Sequence, residues 1–269
     1  MESRGSPPLC KGRRKPPLNH SKSISSSPAW RTIPPIMLSP PSFHTVYKKL
    51  HATHGPQHRW PGDSPFEIMV GAVLTQNTAW TNVEKAIANL KRARALTPQK
   101  ILATPKATLA AWLKPSGYFN VKAKRLRAFC AWLLAQGGVK KLSAWSTPDL
   151  RHALLSVHGI GPETADDILL YAFHRPVFVI DAYTRRIFSR LGLIEGKEQY
   201  EVLRGRFEAA LKTDAGLFNQ YHALIVLHGK DTCRTKPRCD RCCLERTCSA
   251  VAASGSSARL PKAGRAGKT

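Results

Sequence analysis

A pair of glycines and a carboxylate in the middle of the chain have the residue types and spacing for chemistry beside a phosphate backbone. The run Val157-His158-Gly159-Ile160-Gly161 separates two helical patterns, and Asp181 follows the second pattern after a short β-branched run. A Gly-x-Gly turn at a helix start lets the backbone approach a ligand closely and points N–H groups outward, which suits an anion. The spacing predicts a phosphate anchor next to a partly buried carboxylate. An ordinary turn is the alternative for the glycines taken alone.

The charge of the chain indicates which anion this is. The 42 Lys and Arg residues outnumber the 17 Asp and Glu residues and give a net charge of +25. So large a surplus disfavours the compact state unless polyanions are near, and it predicts salt-dependent binding to nucleic-acid phosphates. A solvated basic surface accounts for part of the surplus, since both ends of the chain are basic.

The seven cysteines are unevenly distributed and form a second candidate site. Cys10 and Cys130 stand alone, whereas the others cluster near the C-terminus, four of them with the spacing Cys233-x5-Cys239-x2-Cys242-x5-Cys248. An odd count clustered in this way favours a metal site in a reducing compartment over a disulfide framework. Thiolates suit an iron–sulfur cluster or zinc, and a chain without metal is the third alternative. Cys243 competes with Cys242 as the third ligand.

Composition and periodicity divide the chain into an ordered middle and two tails. Residues 1–42 are rich in Pro, Ser, Lys and Arg and are predicted to be disordered, as are residues 249–269. A transit peptide is an alternative for the first tail, although its prolines oppose an amphipathic helix. Between the tails we expect a main domain over 43–230, with a hairpin at 155–166, and a cysteine loop over 231–248.

The middle of the chain shows helical periodicity without convincing alternating strands, which predicts an all-α, two-lobed fold. The apolar runs and stripes predict helices over Phe66–Thr75, Trp80–Leu90, Leu109–Leu113, Ala123–Leu134, from Thr147-Pro148 onward, Thr164–Phe173, Ala182–Leu191, Tyr200–Leu211 and Ala215–Leu227. No apolar run approaches the roughly 18 residues that a transmembrane helix needs, so no membrane partner is expected.

The hairpin and the aspartate after it resemble the helix-hairpin-helix (HhH-GPD) DNA glycosylases of the endonuclease III superfamily. In that superfamily the hairpin reads Leu/Val-x-Gly-Ile/Val-Gly, and an essential aspartate follows its second helix, where this chain has Asp181. The resemblance covers roughly residues 45–248 and implies that Gly159 and Gly161 contact DNA phosphates. Bifunctional members carry a lysine two residues after the second glycine, and this chain departs from them with Glu163.

Two further segments resemble the 3-methyladenine glycosylase branch of the superfamily. They are Trp60-Pro61 and the run Leu74-Thr75-Gln76-Asn77-Thr78-Ala79-Trp80. The resemblance implies that Trp60, Pro61 and Trp80 line a pocket for a base extruded from the duplex, and that Gln76 fills or probes the gap left behind. Core packing is the alternative for each tryptophan.

The remaining roles implied by the resemblance concern DNA phosphates and the cysteines. The segment Lys114–Lys124 resembles a second DNA-facing turn, in which Lys122 and Lys124 meet phosphates, although a solvated helix start explains them equally well. The superfamily holds a [4Fe–4S] cluster with a similar cysteine spacing, one residue longer in the first gap, which favours Cys242 as the third ligand. His222, on an otherwise apolar helix, is interpreted as a core histidine.

Together these patterns predict a DNA N-glycosylase of base-excision repair that acts on double-stranded DNA containing a damaged base. Asp181 is expected to stabilise the positive charge that develops on the sugar, and Glu163 to polarise water or contact the base, an exposed helix-start glutamate being its alternative. We expect a monofunctional enzyme, and an alkylated base fits the pocket. The alternatives are a bifunctional glycosylase/AP lyase using a displaced lysine, and a non-catalytic DNA-binding protein with a structural cluster. We expect a monomer in the cytoplasm, associated with the nucleoid.

Overall fold

Polar caps and prolines mark the starts of several helices that build the molecule. The computed structural model describes residues 41–57 and 62–253, and all regular structure within them is helical. Ser64 accepts a hydrogen bond from the backbone N–H of Glu67 and is followed by a proline, and Asp214 caps another helix through the N–H of Leu217. The all-α prediction is therefore confirmed for the described residues.

The α-helices fall in chain order as α1 (Phe43–His54), α2 (Pro65–Thr75), α3 (Trp80–Arg92), α4 (Pro98–Ala103), α5 (Lys106–Leu113), α6 (Phe119–Ala135), α7 (Gly138–Leu142), α8 (Thr147–Leu155), α9 (Pro162–Asp167), α10 (Ala182–Arg190), α11 (Tyr200–Ala210), α12 (Ala215–Asp231) and α13 (Ser249–Ala253). Short 3₁₀ turns lie at Lys114–Ser116, Cys239–Arg241 and Glu245–Thr247. No helix in the described part of the chain is long and apolar enough to cross a bilayer.

Two hydrophobic cores give the molecule its two lobes. The first core takes its buried side chains from α2 through α9, for example Val70, Leu126 and Leu154. The second core joins α1 to α10, α11 and α12, and includes Leu50 and Phe207. The first described helix, α1, therefore packs in the lobe built by the C-terminal half. The chain returns to the second core after α9, where Leu169 belongs to the first core and Leu170 and Tyr171 belong to the second.

A wide turn follows α9 and changes its helical register. Residues Ile168–Ala172 form a π-type turn, in which the N–H of Phe173 donates to the carbonyl of Ile168 at 3.3 Å. A π turn holds one residue more than an α turn, and such turns often occur at functional sites. Here it places Tyr171 in the interior, between the two lobes' helices α2 and α12.

Two helix starts and one predicted tail need comment. Ser146 caps α8 through the N–H of Asp149. Tyr118, in the left-handed region with φ of 45°, lies at the cap position of α6. The segment 249–253 is helical, although it was predicted to belong to the disordered tail. The rest of both predicted tails, and the predicted base-pocket residues Trp60 and Pro61, lie outside the described residues.

Candidate active site and nucleic-acid interface

A cavity of about 270 Å³ lies where the end of α2, the start of α3, α9, α10 and α12 meet. Three carboxylates face this cavity, together with one histidine, one lysine and two aromatic side chains. They are Glu163, Asp167, Asp181, His222, Lys230, Trp80 and Tyr183. The structure therefore brings together the predicted residues Asp181, Glu163 and Trp80, which lie on three different helices.

Asp181 is held in the cavity wall by the start of α10. It is 9% exposed, and its Oδ1 accepts a hydrogen bond of 2.7 Å from the backbone N–H of Thr184, which makes it the cap of that helix. Its Oδ2 lies 3.7 Å from Nε2 of His222. Burial raises the pKa of Asp181, but His222 and the N–H of Thr184 outweigh burial and hold the pKa below its ordinary value. Asp181 is therefore an ionised carboxylate at neutral pH.

His222 is fixed from its other side by a buried tyrosine. Its Nδ1 lies 2.5 Å from the hydroxyl of Tyr171, and its side chain is 2% exposed. Burial, together with the charges of Asp167 and Asp181, raises the pKa of Tyr171 well above its ordinary value, so the phenol stays neutral. A neutral phenol that donates to Nδ1 leaves the Nε2 proton directed toward Asp181. The histidine is thus buried, as expected for a core residue, but it also contacts the carboxylate of the cavity.

Glu163 lies at the first turn of α9, on the solvent side of the same cavity. The surrounding protein and the negative charge of Asp181 raise its pKa, while His222 and Arg185 oppose that rise. A carboxylate near another carboxylate holds a proton more readily, so the pair can divide acid and base roles between them.

Asp167 lies one helical turn after Glu163 and was not identified from the sequence. It is 6% exposed and lines the cavity, and its Oδ1 is buried without a hydrogen-bond partner. Its neighbour Asp166, fully buried, is bonded to Arg151 at 2.6 and 3.1 Å. Two adjacent aspartates between apolar residues were the signal in the sequence, because buried carboxylates need a partner or a function.

Gln76 and Trp80 lie on the loop and helix that follow α2. The Nε2 of Gln76 donates to the carbonyl of Gly159 at 3.0 Å and to the hydroxyl of Thr164 at 2.9 Å, and its Oε1 accepts from Arg125. Gln76 therefore ties the loop to the hairpin in this conformation. Trp80 is half-buried at the cavity, and its Nε1 donates to Glu84. The adjacent Asn77 is exposed with φ of 55°.

The two hairpin glycines differ in whether the backbone requires a glycine at their position. Gly159 has φ of 86°, and a Cβ there would lie 2.3 Å from Cγ of Arg125, so both the backbone and the close contact require glycine. Gly161 caps α9 with φ of −94° and ψ of 178°, which any residue adopts. A Cβ at Gly161 would meet nothing within 4 Å, so this position faces open space. A side chain at Gly161 would therefore not strain the turn, but the open space beside this backbone suits a phosphate.

The two lysines expected to contact phosphates occupy opposite environments. Lys122 is 1% exposed, and its Nζ donates to the carbonyls of Leu74 at 2.9 Å and Ser116 at 2.6 Å. Burial, and secondarily the charge of Arg125, lowers its pKa to about 8. The predicted phosphate contact of Lys122 is therefore wrong, because the buried ammonium joins the end of α2 to the 3₁₀ turn at Lys114–Ser116. Lys124 is exposed on α6 and keeps its predicted accessibility.

The cysteine loop encloses a second cavity, of about 200 Å³. The four predicted ligands Cys233, Cys239, Cys242 and Cys248 all line it, whereas Cys243 is not one of the lining residues that the structure describes. Arg190 donates to the Sγ of Cys233 at 3.2 Å, and His228 lies 3.4 Å from the Sγ of Cys242. Among the described residues, no three His, Cys, Asp or Glu side chains are grouped as ligands of one metal ion. The four cysteines thus share one cavity, and thiolates are the side chains that ligate iron–sulfur clusters.

Comparison with known sequences identifies the family to which the chain belongs. Residues 70–212 match the family model described as "HhH-GPD superfamily base excision DNA repair protein". A Methanocaldococcus jannaschii protein that carries the name of a DNA repair glycosylase is 44% identical over 208 residues, which cover 76% of this chain and 94% of that protein. Endonuclease III of Escherichia coli is 31% identical, over 69% of this chain and 83% of the relative.

Solved structures share the same architecture. The Helicobacter pylori 3-methyladenine DNA glycosylase bound to 1,N6-ethenoadenine matches with a TM-score of 0.61 and 31% identity, covering 69% of this chain and 95% of that one. A non-covalent endonuclease III–DNA complex matches with a TM-score of 0.69 and 20% identity, over 78% of this chain and 95% of the other. The second likeness concerns the fold alone.

Proposed function

Because the chain belongs to the HhH-GPD superfamily of base excision DNA repair proteins, we propose that it is a monofunctional DNA N-glycosylase. It hydrolyses the N-glycosidic bond of a damaged base and leaves the DNA backbone intact. The observation that carries this proposal is the cavity in which ionised Asp181 faces Glu163 at the position that holds a lysine in bifunctional members. A carboxylate supplies charge stabilisation but cannot form a Schiff base.

Asp181 is the centre of the proposed chemistry. As the bond between C1′ and the base breaks, positive charge develops on the sugar, and a fixed carboxylate nearby stabilises it and accepts a proton from the attacking water. His222 and the N–H of Thr184 keep Asp181 ionised and oriented for this role. Glu163 contributes a second carboxylate that contacts the base or water at the solvent side.

An extruded base would stack on the aromatic side chains around the cavity. Trp80 lines the cavity and is proposed to stack on the base. We assign Trp60 and Pro61 to the same role from the sequence alone. The H. pylori relative was solved with an ethenoadenine base. An alkylated purine is therefore the proposed substrate class, because a cationic alkylated base stacks well on tryptophan.

The hairpin and its neighbours form the proposed binding surface for double-stranded DNA. Gly161 offers open backbone approach to a phosphate, Gly159 sets the turn, and Gln76 holds the loop that would meet the gap left by the base. Lys124 adds an exposed charge on α6. Of the elements that carry these residues, α9 and the loop after α2 also border the cavity, whereas α6 does not.

The decisive experiment separates hydrolysis from lyase chemistry. A duplex with a single alkylated purine is incubated with the protein, and the products are analysed with and without alkali. We expect base release with strand breaks that appear only after alkali, and no covalent adduct with borohydride. Intrinsic nicking together with borohydride trapping would contradict the monofunctional assignment. Absence of base release from any lesion duplex would favour the non-catalytic alternative.

A bifunctional enzyme is the second candidate, and one observation favours it. Lys230 on α12 lines the cavity and is a displaced amine of the kind that such an enzyme needs. If borohydride traps the protein, Lys230→Gln should abolish trapping while Lys124→Gln should not. Trapping that survives Lys230→Gln would exclude this lysine.

We also propose that Cys233, Cys239, Cys242 and Cys248 hold a [4Fe–4S] cluster. When bound, the cluster would act as a structural tie between the loop and the second lobe. The pair Cys242 and Cys243 provides a matched test, because only Cys242 lines the loop cavity. Cys242→Ser should lose the broad visible absorption of a thiolate-bound cluster and its iron, whereas Cys243→Ser should keep both. A colourless, zinc-containing protein prepared without oxygen would contradict the cluster.

A further inference from the structure

Among the described residues, the buried Oδ1 of Asp167 has no hydrogen-bond partner, in contrast to two other buried charged groups of the first lobe. Asp166 is paired with Arg151, and Lys122 is bonded to two carbonyls. Asp167 is 6% exposed, its Oδ1 has no hydrogen-bond partner, and it forms part of the cavity wall. An unpartnered polar group in a protein interior is costly, so its retention beside the reacting centre points to a ligand that completes it.

The groups around Asp167 decide its protonation state. Glu163 precedes it on α9, Asp181 faces it from the start of α10, and Asp166 is its neighbour. The remaining elements contribute His222 and Lys230 of α12 and three tyrosines, which are Tyr171 of the wide turn, Tyr183 of α10 and Tyr200 of α11. Burial and the three carboxylates raise the pKa of Asp167 well above its ordinary value, so the group holds its proton where Asp181 is ionised.

We propose that Asp167 is the general acid of this site and donates its proton to an acceptor atom of the extruded base as that base departs. The proposal rests on the glycosylase function proposed above and extends it. A cationic alkylated base leaves as a neutral molecule without help, whereas a neutral base such as hypoxanthine leaves poorly as an anion. A resident acid therefore makes neutral base lesions substrates of the same cavity.

The proton and electron balance closes within the residues described. The C1′–N bond breaks, its electron pair goes to the base, and the Asp167 proton neutralises the base at a ring nitrogen or carbonyl oxygen. A water oxygen bonds to C1′ and its proton goes to the carboxylate of Asp181. The products are the free neutral base, an abasic sugar with a hydroxyl at C1′, ionised Asp167 and protonated Asp181. Proton exchange with solvent then restores the starting pair.

The test compares two lesions that differ in their need for an acid. Single-turnover base release is measured on duplexes containing hypoxanthine or 7-methylguanine, with wild type, Asp167→Asn and the control Glu195→Gln, an exposed carboxylate outside the cavity. Asp167→Asn should slow hypoxanthine release about a hundredfold and 7-methylguanine release by less than about threefold, because only the first needs the proton. Wild-type release of hypoxanthine should fall as the pH rises and Asp167 loses its proton, and Glu195→Gln should follow wild type.

Several results would overturn the assignment. Equal losses on both lesions would mean that Asp167 acts on Asp181 or on the fold, and an unchanged rate on hypoxanthine would exclude the acid role. Wild type that releases 7-methylguanine but no hypoxanthine overturns this inference alone, whereas release of neither base overturns the proposed function as well. Asp167→Ser repeats the comparison if Asp167→Asn does not fold.

The protonation state can be measured without activity. The ¹³C resonances of the aspartate carboxyl groups are titrated in wild type and in Asp167→Asn. The resonance absent from the variant should titrate well above the value of about 4 that is ordinary for an aspartate. Titration of that resonance at or below the ordinary value would overturn the acid assignment.

Discussion

Asp166 and Asp167 follow one another on α9 but lie in two different regions of the molecule. Asp166 faces α8 and α11, where Arg151 bridges it to Glu201 and Arg204 completes the cluster. Burial lowers the pKa of Arg151. The hydrogen bonds from Arg151 to Asp166 and Glu201 outweigh burial, so the pKa of the guanidinium is raised. Asp167 faces the cavity and has no such partner for its Oδ1.

The difference shows that α9 is anchored by ion pairs on one side and presents carboxyl groups to the cavity on the other side. A buried carboxylate with two hydrogen bonds to a guanidinium fixes α9 against its neighbours. A buried carboxyl group without them keeps its proton, and its unpartnered oxygen is unfavourable until a ligand arrives. The ion-pair cluster therefore fixes the helix, while the opposite side of the helix presents Glu163 and Asp167 to the cavity.

The largest expected effect is on the cavity side, at Asp181. Asp181→Asn keeps the size of the side chain and an oxygen for the N–H of Thr184, so the fold should remain. Base release should slow by at least about a hundredfold, since charge stabilisation in the transition state is lost. Single-turnover kinetics and duplex affinity measured together check this, and affinity should be retained or increased. A variant with a near wild-type rate would refute the role of Asp181.

On the ion-pair side, the expected effect is on stability rather than on the reaction. Asp166→Asn should lower the free energy of unfolding by about 2 kcal/mol, less than for a fully buried pair because Arg151 keeps its bond to Glu201. Urea denaturation at neutral pH measures the change, and base release per folded molecule should stay near wild type. A large loss of rate without a loss of stability would remove the distinction between the two sides of α9.

A smaller effect on stability is expected for Asp167→Asn, and its sign is opposite to that of Asp166→Asn. The pKa of Asp167 is raised in the folded protein, so between the unfolded value of about 3.9 and the folded value only the folded state keeps the proton. Wild-type stability therefore falls as the pH rises through this window, and Asp167→Asn escapes that loss. As the pH rises from about 4, the Tm of the variant should increase relative to that of wild type, with Glu195→Gln as the control. A Tm difference that is constant with pH would contradict the raised pKa.

The smallest effect separates the two lysines of α6. Lys124→Ala should weaken binding to every duplex and reduce the salt slope by about one, because one phosphate contact is lost. Lys122→Met should leave the salt slope unchanged but reduce stability, since the carbonyls of Leu74 and Ser116 lose their donor. Fluorescence titrations over a range of salt, with urea midpoints for both variants, distinguish the two. A slope change in Lys122→Met would mean that the buried ammonium reaches DNA.

Sequence patterns predicted the regular helices because their apolar stripes are local. They did not reveal α1, in which only Val46 and Leu50 are buried among histidines and lysines. The sequence patterns identified Asp181 as a site residue because it follows the second helix of the hairpin. They did not reveal that Lys122 is buried or that Tyr171 meets His222, because those contacts join residues 48 and 51 positions apart. Side-chain environments of this kind arise only when the lobes pack.

The wide turn over 168–172 makes the length of the chain at this point part of the active-site geometry. Gains and losses of single residues are ordinarily tolerated in surface loops. Deleting one residue here would return the segment to a regular α-helix and rotate Tyr171 away from Nδ1 of His222. The number of residues between the hairpin and Asp181 is therefore constrained by the geometry of the site. A substitution in this segment can preserve the contact between Tyr171 and His222, whereas an insertion or a deletion would displace it.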